Sequence, residues 1–87
     1  MYAIVIYDAS TERVHAYLKL LRQYLFHIQN SAFEGEISQK NMKILKKELF
    51  QLNKSKKDSV IIYTFHNSKY VKRNVLGPEK GLETNIL

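Results

Sequence analysis

The chain predicts a single α+β domain, with one antiparallel sheet and two helices on one of its faces. Three observations carry this. Two runs rich in β-branched and aromatic residues, Tyr2–Tyr7 and Ser59–Phe65, read as strands with apolar middles. Two other segments repeat apolar residues at three- and four-residue spacing, the pattern of helices that bury one stripe. With 87 residues there is room for one core, since domains usually run to about 100–150 residues.

The first strand stops at Asp8, and Asp8-Ala9-Ser10-Thr11 supplies helix-cap chemistry. Asp8 and Ser10 are rival caps, and Glu12 suits a first helical turn. Val14, Tyr17, Leu18, Leu21 and Leu25 then predict a helix over Thr11–Arg22. Phe26–Phe33 reads as a second strand bent near Asn30-Ser31. Glu34–Ile37 prolongs or ends it, with Gly35 suited to a bulge or turn. Ser38 is a good cap for a second helix whose stripe is Met42, Leu45, Leu49 and Leu52. Asn53–Asp58 is a polar turn. Beyond the Ser59–Phe65 strand, His66–Lys69 reads as a turn and Tyr70–Leu76 as a further strand, before Gly77-Pro78 breaks the chain.

Counting the bent strand as a pair gives the order β-α-β-β-α-β, the ferredoxin-like arrangement, as one domain over residues 1–87. The apolar ending Leu82–Leu87 needs a seat, and a sheet edge of a second copy would provide one. This fold serves many unrelated functions and selects none of them.

Composition narrows the field. A hydrophobic share of 45% suits a folded globule. The absence of cysteine excludes disulfides, thiolate zinc sites and cysteine nucleophiles. A chain this short buries only about 60–65% of its unfolded surface, so a homodimer is expected to complete the core. No basic segment precedes an apolar run, and no run reaches about 18 residues, so no membrane association and a cytoplasmic location are expected. The formal net charge is +6, and it is concentrated: seven lysines face one acid, Glu48, between Lys40 and Lys57. Such a field favours polyanions, DNA or RNA among them, where the plainer reading is a solvated face.

Asp8 is the foremost candidate for chemistry. A lone aspartate does not hold Mg²⁺, which seeks six oxygens near about 2.0–2.1 Å. Two copies of Asp8 meeting at a two-fold axis would serve, with waters and substrate phosphates completing the shell and Mn²⁺ able to take the same place. His15, His27 and His66 lack zinc spacing, and His27 and His66 are the better functional candidates. Ser10, Ser31 and Ser59 lack a nucleophile-elbow context, and no glycine pattern marks a phosphate loop. Glu34 and Glu36 share one side of an extended segment, as exposed acids or metal donors. RNA-recognition domains share this element order, yet Ser59–Phe65 has no glycine and too many aliphatics for their open aromatic face.

Three blocks occur together in one order and spacing: Met1-Tyr2-Ala-Ile-Val-Ile-Tyr7-Asp8, Gln29-Asn30-Ser31-Ala-Phe33-Glu34-Gly35-Glu36-Ile37 and Asp58-Ser59-Val-Ile-Ile-Tyr63. In these the chain resembles the CRISPR-associated protein 2 family. Arg13–Gln29 and the ending Glu79-Lys80-Gly81 with Asn85-Ile86 extend the likeness over essentially the whole sequence.

The resemblance implies a ferredoxin-like protomer in a symmetric homodimer, whose tail, residues 78–87, crosses to complete the partner's sheet. It implies a part in spacer acquisition, with the dimer bridging dimers of the integrase, CRISPR-associated protein 1. It also implies a Mg²⁺-dependent endonuclease of single-stranded RNA or double-stranded DNA, with Asp8 as catalytic and metal-binding residue. Ser31 and Phe33 match motif positions near that cleft, and Ser10 and His27 join them as cleft candidates. Of the paired arginines that open the first helix in many members, only Arg13 stands here. Arg13, Lys40, Lys43, Lys46, Lys47, Lys54, Lys56 and Lys57 are the expected phosphate contacts. The alternative is a non-catalytic DNA-binding scaffold dimer, and a third reading is a small-ligand regulatory dimer.

Overall fold

In the computed structural model, which describes residues 1–77, β1 (Tyr2–Asp8) forms the spine of the sheet. Its alternation is clear: Ala3, Val5 and Tyr7 are buried, while Ile6 and Asp8 are exposed. The remaining strands are β2 (Phe26–Gln29), β3 (Ala32–Glu36) and β4 (Ser59–Phe65), in the order β2-β3-β1-β4 with every pair antiparallel. The helices are α1 (Val14–Leu21) and α2 (Gln39–Leu52). This is the β-α-β-β-α-β order, and the α+β expectation holds.

The register divides the sheet into two faces. Val5 lies opposite Phe33 and Ile62, and Ala3 opposite Gly35 and Thr64, so these residues point toward the helices. Tyr17 and Leu21 from α1, and Met42, Leu45 and Leu49 from α2, close that face into the core. An aromatic column runs through it: Tyr17 stacks on Tyr7 with centroids 5.1 Å apart, Tyr7 on Phe33 at 6.3 Å, and Phe33 on His27 at 4.6 Å. The other face carries Ile4, Ile6, Glu34, Ile61 and Tyr63, and no helix of the described residues covers it. Ile6, Ile61 and Tyr63 are 39, 47 and 50% exposed there, a contiguous apolar patch of the kind that marks an interaction surface.

Three local expectations are corrected, and a fourth, the strand pair, holds. The first helix begins at Val14 rather than Thr11, and neither Asp8 nor Ser10 caps it; Arg13 is the N-cap residue, without a side-chain cap bond. The Ser10 carbonyl instead accepts from the N–H groups of Arg13 and Val14 at 2.9 and 3.0 Å, making a tight turn that leaves Glu12 ahead of the helix. The bent second strand is a true pair, β2 and β3, joined through Asn30 at φ 38°, a left-handed position that asparagine tolerates. The register shift lies between His27 and Gln29, not at Gly35. Gly35 sits buried within β3, where an added Cβ would come within 3.4 Å of Phe26 and 3.5 Å of Leu25.

The strand expected over Tyr70–Leu76 does not form. Asn67 accepts from the Lys69 N–H at 2.8 Å and starts a 3-10 turn over Ser68–Tyr70. Among the described residues β4 keeps an open edge, but this segment does not take it. The following residues instead bring Arg73 within 3.1 Å of Glu34 on the uncovered face. The expected tail, residues 78–87, lies outside the described residues.

Candidate active site and basic surface

Asp8 ends β1 on the uncovered face, with its carboxylate exposed. The register sets it opposite Ser59, the first residue of β4, and Ile6 opposite Ile61 one step inward. Among the described residues no hydrogen bond or ion pair engages the Asp8 carboxylate. Both of its oxygens are therefore open to a ligand, at the rim of an apolar surface.

The segment that follows Asp8 is held by a residue remote in sequence. The Asp58 carboxylate accepts from Arg13 Nε at 2.8 Å, Arg13 Nη2 at 2.6 Å and the Tyr17 hydroxyl at 2.8 Å. Asn53 fixes the Asp58 main chain from the other side, donating to its carbonyl and accepting from its N–H, both at 3.0 Å. Asp58 thus ties the end of α2, the start of α1 and the turn after Asp8 into one unit. Its side chain is 1% exposed. The paired Arg13 guanidinium, foremost, holds its carboxyl down at about 2. Burial first, and then the bond to Asp58, push the Tyr17 phenol up to about 12.

A pH dependence follows with a definite sign. A carboxyl held at about 2 in the fold, against an ordinary 3.8, contributes stability that is fully present above about pH 4. That contribution is lost as pH falls toward 2. Arg13→Gln is expected to lower the Tm at pH 7, and the gap from wild type is expected to close as pH falls. Thermal unfolding at pH 7 and pH 2.5 checks this; an equal gap at both would show that Arg13 does not hold the carboxylate ionised.

The other cleft candidates fall in different places. Ser10 is exposed in the turn two residues beyond Asp8. The Ser31 carbonyl accepts from the Tyr7 N–H at 3.1 Å, so Ser31 lies beside the end of β1. Phe33 is fully buried on the helix face, away from Asp8, and His27 stacks on it there. His27 Nε2 lies 2.5 Å from the Asn30 carbonyl, which can only accept, so Nε2 carries the hydrogen and the ring braces the β2–β3 turn. Its Nδ1 is buried without a partner. Arg13 is committed to Asp58, as above.

Ser59 and Asp58 are the residues that sequence reasoning did not place at the site. Strand register gives Ser59 its position opposite Asp8. The advance signals for Asp58 were its location between a lysine-rich turn and a strand and its place at the head of the block Asp58-Ser59-Val-Ile-Ile-Tyr63, neither of which names its partners.

The seven lysines form a separate surface. Lys40, Lys43, Lys46 and Lys47 on α2, with Lys54, Lys56 and Lys57 beyond it, are all exposed. Glu48 is drawn off toward α1, where its Oε1 accepts from the Tyr24 hydroxyl at 2.9 Å. The acid therefore sits with the helix pair and leaves the lysine flank uniformly positive.

Among the described residues no group of three or more histidine, aspartate or glutamate side chains converges on one point. A divalent cation at Asp8 would depend on a second copy of the chain, and the open carboxylate suits that arrangement. No helix of the described residues is long and apolar enough to cross a membrane.

Residues 1–73 match the family model described as CRISPR associated protein Cas2. The chain is 40% identical over 87 residues to the CRISPR-associated endoribonuclease Cas2 of Dictyoglomus turgidum, covering 100% of both. It is 44% identical over 87 residues to the protein of the same name from Thermococcus kodakarensis, again covering 100% of both. A crystal structure of cas2 aligns with a TM-score of 0.84 at 42% identity, covering 100% of this chain and 98% of that one.

Proposed function

Since the chain belongs to the CRISPR-associated Cas2 family, we propose that it is a metal-dependent endoribonuclease acting as a homodimer within a CRISPR system. The observation that carries this reading is the Asp8 carboxylate, exposed and uncommitted at the rim of an uncovered apolar sheet face. Two such faces packed about a two-fold axis would bury Ile6, Ile61 and Tyr63 and bring the two Asp8 residues to one cleft. β4 has one edge unpaired among the described residues, and a strand from a second copy could pair there.

The two Asp8 carboxylates would hold Mg²⁺, and Mn²⁺ would serve in its place. Bound there, the cation supplies water activation and stabilises charge on a phosphodiester. The chain's own contribution is positional. The Asp58 hub holds the turn after Asp8; Ser59 lies opposite Asp8 in the strand register and Ser10 follows it by two residues, so their hydroxyls are the donors that would meet phosphate oxygens there. The names of the relatives favour RNA as substrate. Spacer acquisition with the integrase, CRISPR-associated protein 1, belongs to the same proposal through family membership.

The test is cleavage of labelled single-stranded RNA and duplex DNA, in Mg²⁺ and in chelator, by wild type and Asp8→Ala. Metal-dependent RNA cleavage that Asp8→Ala lacks is the expected result. Cleavage that survives in the variant would remove Asp8 from the chemistry.

The lysine flank supports a second role, holding the DNA phosphate backbone, with or without cleavage. Contacts of this kind are independent of base sequence and weaken with salt, because binding releases counterions. About six neutralised phosphates give a log–log salt slope near −5 on duplex DNA. Lys43→Gln with Lys47→Gln is expected to weaken duplex binding and to flatten that slope by roughly 2. Binding titrations over a salt series check this, and an unchanged slope would show that these lysines face solvent only.

A further inference from the structure

We propose that residues 53–58 are the positioning frame of the cleavage site: they fix a turn of three lysines against the loop that follows Asp8, and so set which phosphodiester of a held strand lies at Asp8. This rests on the reading of Asp8 as the cleavage residue, and adds to it the part of the chain that registers the substrate.

The loop 8–13 is tied at both ends to two consecutive residues. Asp8 lies opposite Ser59 in the strand register, and Arg13 donates to Asp58 through Nε at 2.8 Å and Nη2 at 2.6 Å. Within the loop the Ser10 carbonyl accepts from the N–H groups of Arg13 and Val14. The anchor is itself held, since the Asp58 side chain is 1% exposed and also accepts from the buried Tyr17. A shift of the loop against β4 therefore breaks a charge-assisted pair whose acceptor is buried.

The same segment fixes the lysine turn. Asn53 is the C-cap residue of α2, and its N–H donates to the Leu49 carbonyl at 3.0 Å. Its side chain bonds the Asp58 N–H and carbonyl, both at 3.0 Å, and its own carbonyl accepts from the Lys56 N–H at 2.9 Å. Lys54, Lys56 and Lys57 thus stand in a turn closed on Asp58, the residue that holds the loop. Lys56 sits at φ 59°, a left-handed conformation that glycine adopts freely and lysine only at a cost. Strain of this kind concentrates at functional sites. Among the described residues none of the three ammonium groups meets a carboxylate.

Position separates this turn from the other lysines. Lys57 precedes Ser59 by two residues, so at about 3.3 Å per residue it starts within about 7 Å of the residue facing Asp8. Helix α2 has 14 residues and spans about 21 Å, which sets Lys40 and Lys43 toward its far end. A strand gripped by the turn reaches Asp8 within a few nucleotides. Misplacing a reacting group by about 1 Å costs about 100-fold in rate, so rigidity between grip and carboxylate bears directly on turnover.

The experiment measures kcat and KM for single-stranded RNA in Mg²⁺, and binding of the same RNA in chelator over a salt series. Asn53→Ala keeps every lysine and releases the turn, so kcat is expected to fall about ten-fold with KM and binding within about two-fold. Lys54→Gln with Lys57→Gln keeps the frame and loosens the grip. In that pair KM is expected to rise about ten-fold and the log–log salt slope to flatten by about 1.4, with kcat within about two-fold. Both lysines are exposed, so the pair decides alone where Asn53→Ala does not fold. Lys19→Gln, an exposed charge on α1 away from the site, is expected to change none of these.

Asn53→Ala with wild-type kcat, or a lysine pair with wild-type KM and slope, would overturn the frame. A loss of kcat in Asn53→Ala that disappears when the assay is cooled well below a lowered Tm would show a structural role only, again overturning it. In each of these cases the wild type still cuts, and the Asp8 reading stands. A wild type that does not cut in Mg²⁺ would overturn both.

Discussion

Asp8→Asn is expected to reduce metal-dependent RNA cleavage by at least about 100-fold, because it weakens the hold on the cation that would activate the attacking water. The substitution keeps the size of the side chain and removes its charge. Because Asp8 is exposed at a strand end and its carboxylate is bonded to nothing among the described residues, the fold has little stake in it. Tm should therefore stay within about 2 °C of wild type, and duplex binding within about two-fold. Loss of cleavage with loss of folding would point to a structural role. Loss of cleavage alone places the chemistry at the carboxylate. The relevant measurements are initial rates at saturating Mg²⁺ and thermal unfolding of the same preparations.

The second large effect is expected from Ile61→Asp. Ile61 is 47% exposed in the middle of the uncovered face, directly across the strand pair from Ile6. In the proposed dimer it lies in the apolar contact, where an unpaired carboxylate is strongly disfavoured. A two-fold interface repeats the penalty in both copies. The dimer dissociation constant should rise by roughly 100-fold or more, and cleavage should fall with it although Asp8 is intact. In the monomer the new carboxylate faces water, so the protomer should keep its helix and sheet content. Sedimentation and circular dichroism together separate these outcomes. A variant that stays dimeric would show that the chain pairs through some other surface.

Much of the fold was readable because burial imprints a period on the sequence. Met42, Leu45 and Leu49 announced α2 by spacing, and the Tyr2–Tyr7 run announced β1 because that central strand carries close-packed apolar residues. Asp8 could be read for the same reason, as the charge that stops the run. The lysine cluster was plain from counting. Long-range partnerships were not readable. Asp58 meets Arg13 and Tyr17 across 45 and 41 residues of chain, and nothing local marks it as their acceptor.

That contact also explains the misplaced start of α1. Cap chemistry at Asp8 and Ser10 was present, but Asp58 took the Arg13 side chain, and the Ser10 carbonyl took the Arg13 and Val14 N–H groups in a tight turn ahead of the helix. The Tyr70–Leu76 error is of another kind. Strand propensity does not reveal whether a segment will turn back along an open edge: β4 has one among the described residues, and here Arg73 was drawn over the sheet to Glu34 instead.

The central claim is that one cleavage site needs Asp8 from both copies. Subunit mixing tests it most directly: wild type and Asp8→Asn are combined at constant total protein, allowed to exchange, and assayed for RNA cleavage in Mg²⁺. If the two carboxylates act together, the rate follows the square of the wild-type fraction, and an equal mixture retains about a quarter of the full rate. A linear fall, with about half the rate retained, or the absence of metal-dependent cleavage by the wild type itself, would contradict the shared site.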